Sequence, residues 1–318
     1  MDRQSNRLLI FTEQAQRYLE ALRLLNLPNL ELYAAEDLKK AQELCGECNI
    51  LMGDPHWLRA ILADVPRLRW VQSNYAGVAP LLDAACRQDY LLTNVGPLYG
   101  PALSEYVFCY LLMHERRAWL RYQAQLQGCW DNSYTETLRG KLIGILGVGN
   151  HGSKIAETAK YFGMRTKGLT RSSTDCPFID AYYHRDQLLE FVSDVDYLVC
   201  VLPDTTLTRN MINHTVLESL PQRAVLVNVG RGSVIDELAL ASALQDGRIA
   251  GAVLDVVREE PLPANHPFWH TPNLILTCHT AAPGPGYNPE IVDLFADNYQ
   301  RYAGGMPLRY VVGWARGY

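Results

Sequence analysis

The sequence predicts an α/β protein made of two units, each a parallel sheet flanked by helices. Three observations carry that expectation. Short apolar runs alternate with amphipathic stretches over the first ninety-odd residues, and the alternation resumes from Leu142 onward. Strands separated by helix-length segments pair in parallel, with helices covering the sheet faces. Between the two series lies Pro97-Leu98-Tyr99-Gly100-Pro101, a proline-bearing hinge signal.

Taken in order, Arg7–Phe11, Leu30–Tyr33, Ile50–Met52, Trp70–Gln72 and Leu91–Thr93 read as strands of the first unit. Glu13–Leu25, Ala35–Leu44 and His56–Leu62 read as the helices between them. Ser73-Asn74-Tyr75-Ala76-Gly77 follows a strand directly, at the carboxyl edge where open α/β sheets bind ligands. An ordinary strand-to-helix loop is the competing reading. After the hinge, Ala102–Gln127 reads as one long helix, apolar around much of its circumference through Tyr106, Cys109, Tyr110 and Met113. Such a helix is expected to be covered on more than one side, by the other domain or by another subunit.

The second series is organised around Lys141–Gly152. Leu142–Leu146 is a short apolar strand pattern, and Gly147, Gly149 and Gly152 follow at G-x-G-x-x-G spacing before the helical stretch Ser153–Phe162. Gly147 permits a tight turn, Gly149 lets backbone approach a pyrophosphate, and Gly152 lets helix pack on strand. The helix N-terminus then points free N–H groups at the phosphates. A dinucleotide site in a Rossmann-type unit is the expectation. Thr166–Thr170, Asp196–Val201, Ala224–Asn228, Gly251–Asp255 and Leu274–Thr277 supply further strands, with Glu237–Gln245 a helix among them. Pro289–Tyr302 reads as a last helix, and the tail beyond it could return to the first domain.

Composition excludes several classes. The net charge of −5 gives no electrostatic reason to expect nucleic acid as a partner. No apolar run approaches the ~18–20 residues of a membrane span. Met1–Arg7 is polar and Leu8–Phe11 is too short for a signal-peptide core, so a cytoplasmic location is expected. Eight cysteines in such a chain favour reduced thiols, and the lone Cys45/Cys48 pair lacks the partners a zinc or redox motif needs. No metal is expected.

Three polar residues stand out by position. Arg231 follows the Ala224–Asn228 strand, Glu260 lies just beyond Gly251–Asp255, and His279 follows Leu274–Thr277. In parallel strands all three reach the same carboxyl edge as the glycine loop. A guanidinium forks onto carboxylate and carbonyl oxygens of a 2-keto acid, and an imidazolium donates a proton to the carbonyl oxygen as hydride arrives. A nearby carboxylate favours the charged imidazole. The competing reading makes Arg231 and Glu260 solvated loop charges and His279 a satisfied histidine. His56, His114, His151, His184, His214, His266 and His270 have no comparable setting and read as structural or surface residues. His151 is expected to face solvent or the pyrophosphate.

Over most of its length the sequence resembles the D-isomer-specific 2-hydroxyacid dehydrogenases. The resemblance rests on the ordered set Leu138–Gly152, Leu202-Pro203-Asp204-Thr205, Asn228–Gly232, Asp255–Pro261 and Thr277–His279. It implies two Rossmann-like parallel-sheet domains with the active site in the cleft between them. A discontinuous substrate domain would comprise residues 1–98 plus 286–318, with the dinucleotide-binding domain at 99–285. It implies Arg231 as substrate clamp, His279 as general acid/base and Glu260 as its partner, with Tyr75, Ala76 and Gly77 offering backbone N–H groups to the substrate carboxylate. The cofactor would meet Gly147, Gly149, Asn150, His151 and Gly152, then Leu202, Pro203 and Thr208, then Val229, Gly230 and Asp255. Dimerisation through Ala102–Gln127 comes from the same source. Two departures stand out: Cys278 replaces the usual proline before the histidine, and Val257 replaces a common phenylalanine.

Within the family the resemblance runs toward bacterial glyoxylate/hydroxypyruvate reductases, through Arg171 and the Ala315–Tyr318 terminus. A cofactor-sensing regulator of the same fold, or a relative acting on formate or phosphite, is the alternative. The cofactor expectation is local. A Rossmann unit usually ends its second strand in an acid about 20 residues after the glycine loop, to hold the ribose hydroxyls. Here Thr170-Arg171-Ser172-Ser173-Thr174 stands in its place, and Asp175 is the first acid. Arg171, Ser172 and Ser173 suit a 2′-phosphate, so NADP(H) is expected over NAD(H), with NAD(H) possible.

Overall fold

Two parallel sheets organise the computed structural model, in which residues 5–171, 173–282 and 286–314 are described. In chain order the elements begin with β1 (Asn6–Phe11), α1 (Ala15–Leu24), β2 (Leu30–Ala35), α2 (Leu38–Cys45), β3 (Ile50–Gly53), α3 (Pro55–Arg59), β4 (Trp70–Ser73) and β5 (Leu91–Thr93). Helices α4 (Gly100–Glu115) and α5 (Ala118–Leu126) follow. The second series comprises β6 (Leu142–Leu146), α6 (Asn150–Tyr161), β7 (Arg165–Leu169), β8 (Ala181–Tyr183), α7 (Leu188–Val192), β9 (Tyr197–Cys200), α8 (His214–Ser219), β10 (Val225–Asn228), α9 (Glu237–Gln245), β11 (Gly251–Leu254) and β12 (Leu274–Leu276). Helix α10 (Pro289–Ala303) comes last. The chain divides into two units, Met1–Leu98 with Gly284–Tyr318 and Tyr99–Pro283.

In the smaller unit the sheet order is β2-β1-β3-β4-β5, all parallel. The end of the chain is built into it. Trp70 of β4 stacks on Phe295 of α10 at 5.0 Å, and Asn298 of α10 donates to Gln72 at 3.2 Å. Val311 then bridges Thr93, and the Tyr310 ring fills the space beside Gly96, where an added Cβ would lie 2.5 Å from it. Cys45 and Cys48 are buried here as free thiols that donate to backbone carbonyls. Burial pushes the Cys48 thiol up to about 12, so it stays protonated and unreactive.

The larger unit carries the order β12-β11-β10-β9-β6-β7-β8, again all parallel. The strands β9, β10 and β11 are buried at every residue, as expected of strands covered on both faces. The reversal of strand order falls between β6 and β9, the position at which doubly wound sheets bind ligands.

Two expectations need correction. Ala102–Gln127 is not one helix: α4 ends at Glu115, and Arg117 takes a left-handed φ of 51° before α5 begins. The end of α4 is held by Glu115, which accepts from Tyr197 and pairs with Lys141 at 3.6 Å. Arg117 and Arg121 then bond Ser133, at 2.7 and 2.6 Å, so the turned chain is pinned by its own return. Strand β8 was not anticipated. Its three residues pair on one side only, with β7, and are too short to show a period.

Candidate active site

The glycine loop has the geometry its spacing implies. Gly147 leaves β6 at φ 100°, and Gly149 caps α6. An added Cβ at Gly152 would lie 2.0 Å from the Gly147 carbonyl oxygen, so only glycine lets α6 approach the strand this closely. At Gly149 an added Cβ would meet nothing within 4 Å, which leaves the loop backbone open to a phosphate at a helix N-terminus. These residues fit a dinucleotide. Asn150 beside them is exposed.

The loops after β9 and β10 close on this turn. Beside Gly147, the Leu202 side chain would contact an added Cβ at 3.1 Å, and beside Gly230 the Leu202 carbonyl oxygen would do so at 2.6 Å. Val229 is buried next to them. The Thr208 hydroxyl donates to the Pro203 carbonyl at 2.7 Å and accepts the Thr205 N–H at 2.9 Å, which shapes the Pro203–Thr208 loop.

His151 is half-buried. Its Nδ1 is buried without a hydrogen-bond partner, on the side of α6 that meets Gly100 of α4. Burial, with the Arg231 charge adding to it, lowers its pKa. The Nδ1 edge of the ring is thus covered where α4 packs on α6.

Arg231, Glu260 and His279 come together at the carboxyl edge. Asn228 bridges the turn before Arg231, accepting the Gly230 N–H at 3.0 Å and donating to the Arg231 carbonyl at 3.0 Å. Gly232 lies so close to Val257 that an added Cβ would meet its carbonyl carbon at 2.0 Å. This contact brings the Arg231 turn against the segment carrying Glu260. Burial lowers the Arg231 pKa, opposed by the charges of Glu260 and Asp204.

Glu260 accepts the Val257 N–H at 3.1 Å through Oε1, and its Oε2 lies 2.8 Å from His279 Nδ1. The carboxylate raises the His279 pKa above its ordinary value, with burial opposing it. Burial would push the Glu260 carboxyl up, but the His279 and Val257 hydrogen bonds outweigh it and hold it low. The His279 side chain keeps 52% of its surface and Glu260 37%, so both remain open to a substrate. With Nδ1 on Glu260, the free ring nitrogen is Nε2. His279 itself has a left-handed φ of 55°, a conformation costing about 1–3 kcal/mol outside glycine and found where surrounding bonds enforce it.

Asp255 stands at the same carboxyl edge, just after β11. It is buried, and its carboxylate accepts from the Thr277 hydroxyl and from the Thr280 and Ala281 N–H groups, at 2.6, 2.7 and 3.0 Å. Those bonds tie it to the His279 loop. Thr277 belongs to the stretch that carries the family resemblance, but its bond to Asp255 has no signal in the sequence.

At the end of β7, Arg171 and Ser173 are exposed, while Ser172 lies outside the described residues, as does the Ala315–Tyr318 terminus. The Ser173 hydroxyl donates to Asp175, which lowers the Asp175 pKa and leaves this hydroxyl committed within the loop. The unanticipated β8 adds His184 here, its Nδ1 3.2 Å from the Thr170 carbonyl. In the smaller unit, the Tyr75–Gly77 loop sits at the carboxyl edge of its own sheet. Its carbonyls at Tyr75 and Ala76 accept from Ser73 and Asn94, at 2.8 and 3.0 Å, and burial pushes the Tyr75 phenol up to about 12.

Residues 108–281 match the D-isomer specific 2-hydroxyacid dehydrogenase, NAD binding domain. The chain belongs to the D-isomer specific 2-hydroxyacid dehydrogenase family. It is 32% identical over 260 residues to the glyoxylate/hydroxypyruvate reductase A of Salmonella choleraesuis (strain SC-B67), covering 79% of this chain and 82% of that one. Among solved structures, a family protein from Aeromonas salmonicida superposes with a TM-score of 0.92 at 38% identity, covering 98% and 99% of the two chains. An NADPH-dependent glyoxylate/hydroxypyruvate reductase from Sinorhizobium meliloti, solved with NADP and sulfate, superposes at 0.86 with 25% identity, covering 98% and 100%. As a member of this family the chain is an NAD(P)-dependent oxidoreductase of the 2-hydroxyacid dehydrogenase class. Among the described residues no helix is long and apolar enough to cross a membrane.

Proposed function

We propose that the chain reduces a short 2-keto acid, of the glyoxylate or hydroxypyruvate kind, to the D-2-hydroxy acid with NADPH. The observation that carries this reading is the His279–Glu260 pair, 2.8 Å apart at the edge of the sheet that bears the glycine loop. A reduced nicotinamide bound at that loop supplies the hydride. Arg231 holds the substrate carboxylate and carbonyl oxygens. From Nε2, the His279 imidazolium gives its proton to the carbonyl oxygen. Glu260 stays ionised, keeping that imidazolium charged and aligned.

NADPH is favoured because β7 ends without a carboxylate and in Arg171, where a guanidinium suits a 2′-phosphate. The NADPH-dependent Sinorhizobium relative supports the same reading. NADH is the weaker donor. Short substrates are favoured by the likeness to glyoxylate/hydroxypyruvate reductase A. The protein also works as a homodimer joined partly through α5, whose Trp119, Leu120, Tyr122 and Leu126 are all exposed in the single chain.

The test is a panel of 2-keto acids assayed with NADPH and with NADH. Turnover is expected to be highest with glyoxylate or hydroxypyruvate and NADPH. A preference for phenylpyruvate, or no turnover on any member, would overturn the reading.

A further inference from the structure

Three hydrogen bonds pin the loop around His279 to Asp255. The His279 N–H reaches the Asp255 carbonyl at 2.8 Å, and the Thr280 and Ala281 N–H groups reach its carboxylate at 2.7 and 3.0 Å. A fourth donor is the Thr277 hydroxyl, 2.6 Å from Oδ1. The Thr277 hydroxyl donates to Oδ1, so its one proton is committed to Asp255. Thr277 Oγ1 then faces the Tyr106 hydroxyl at 2.7 Å as an acceptor, and Tyr106 must donate. The direction of the chain is thereby set, from Tyr106 through Thr277 to Asp255. Burial raises the Tyr106 pKa, so this phenol keeps its proton throughout the neutral range.

Resting on the assignment of His279 as proton donor, we propose that Tyr106 and Thr277 are positioning residues that set the His279 imidazole through Asp255. Neither touches the reacting atoms. The strained backbone at His279 is what makes the device necessary. A left-handed residue relaxes once its surrounding bonds weaken, and a small rotation there carries Nδ1 away from Glu260. A helix far from the loop in sequence thus holds the loop in register, and Asp255 serves as the bracket between them.

The experiment compares Thr277→Val, Thr277→Ser and Tyr106→Phe, each assayed for kcat, for cofactor and substrate KM, and for the pH dependence of kcat. Valine keeps the shape of threonine without the hydroxyl, while serine keeps the hydroxyl and loses a methyl. Thr277→Val is expected to lower kcat roughly five- to tenfold, the effect of one net hydrogen bond. Its alkaline limb should move toward acid as the His279–Glu260 pair loosens, with the KM for NADPH little changed. Thr277→Ser should recover both rate and pH profile. Tyr106→Phe should show the same acid shift in milder form, and it carries the test if Thr277→Val fails to fold in a thermal melt. A packing role would rank the variants the other way, with valine better than serine. That ranking, or wild-type pH profiles in both Thr277→Val and Tyr106→Phe, overturns the proposal. His279→Ala, assayed alongside, separates the two levels. Should it retain turnover, the proton-donor assignment itself fails, whereas an inactive His279→Ala with an unaltered Thr277→Val sinks only the positioning role.

Discussion

At the scale of single residues, the Glu260 hydrogen bond is the largest influence on the His279 imidazole and raises its pKa, with burial and the Arg231 charge opposing and the Glu260 and Asp255 charges adding to the rise. With the protonated ring as the proposed proton donor, activity should be full below the raised His279 pKa and fall as pH rises through it. Glu260→Gln removes the anion and leaves the burial, so the alkaline limb of kcat/KM should move toward acid. An unmoved limb would show that Glu260 does not tune the ring. His279→Ala should lower kcat by about 10²–10⁴-fold while NADPH binding, followed by fluorescence, is retained. Arg231→Ala should also raise the substrate KM. For the cofactor, Arg171→Ala should lower kcat/KM with NADPH selectively; equal losses with both nucleotides would mean that Arg171 does not read the 2′-phosphate. The positions of Arg231, Glu260 and His279 were legible because each lies in the loop that follows a strand, β10, β11 and β12 in turn. Bonds such as Ser173 to Asp175 were not, because residue type does not say which of several acceptors a hydroxyl takes.

Elements show the same division. The turn from β6 into α6 was readable to the individual glycine, since each of the three meets a distinct steric demand. Those demands predict different failures. Gly152→Ala places a Cβ against the Gly147 backbone and should lower both Tm and cofactor affinity. Gly149→Ala meets no neighbour, so it should melt like the wild type and lose cofactor affinity alone. Equal melting temperatures for the two variants would contradict this account. The break between α4 and α5 was not readable. Apolar periodicity continues across Arg116 and Arg117 without glycine or proline, and the stop comes from contacts of Glu115 and Arg117 with distant chain.

For the whole molecule, α5 and the segment after it carry the clearest consequence. No residue of α5 is buried in the single chain, and Trp130 and Tyr134 beyond it are 93% and 83% exposed. Apolar surface on this scale marks an interaction site. Light scattering should therefore report twice the 35.8 kDa chain mass, and Leu126→Asp should shift the protein toward monomer. A single 35.8 kDa species at micromolar concentration would rule the dimer out.

What the sequence determined by itself was whatever depends on near neighbours. The two alternating series, the carboxyl-edge positions of the polar residues and the glycine turn all follow from periodicity and local sterics. The tertiary structure decided what depends on partners remote in the chain. It covered the Nδ1 edge of His151 against α4, set the short β8 beside β7, stopped α4 at Glu115 and tied Asp255 to the His279 loop. Tyr106 and Thr277, 171 positions apart, are the plainest case. No local pattern marks them as partners, because a half-buried hydroxyl acquires its partner only when packing removes the water that would otherwise satisfy it.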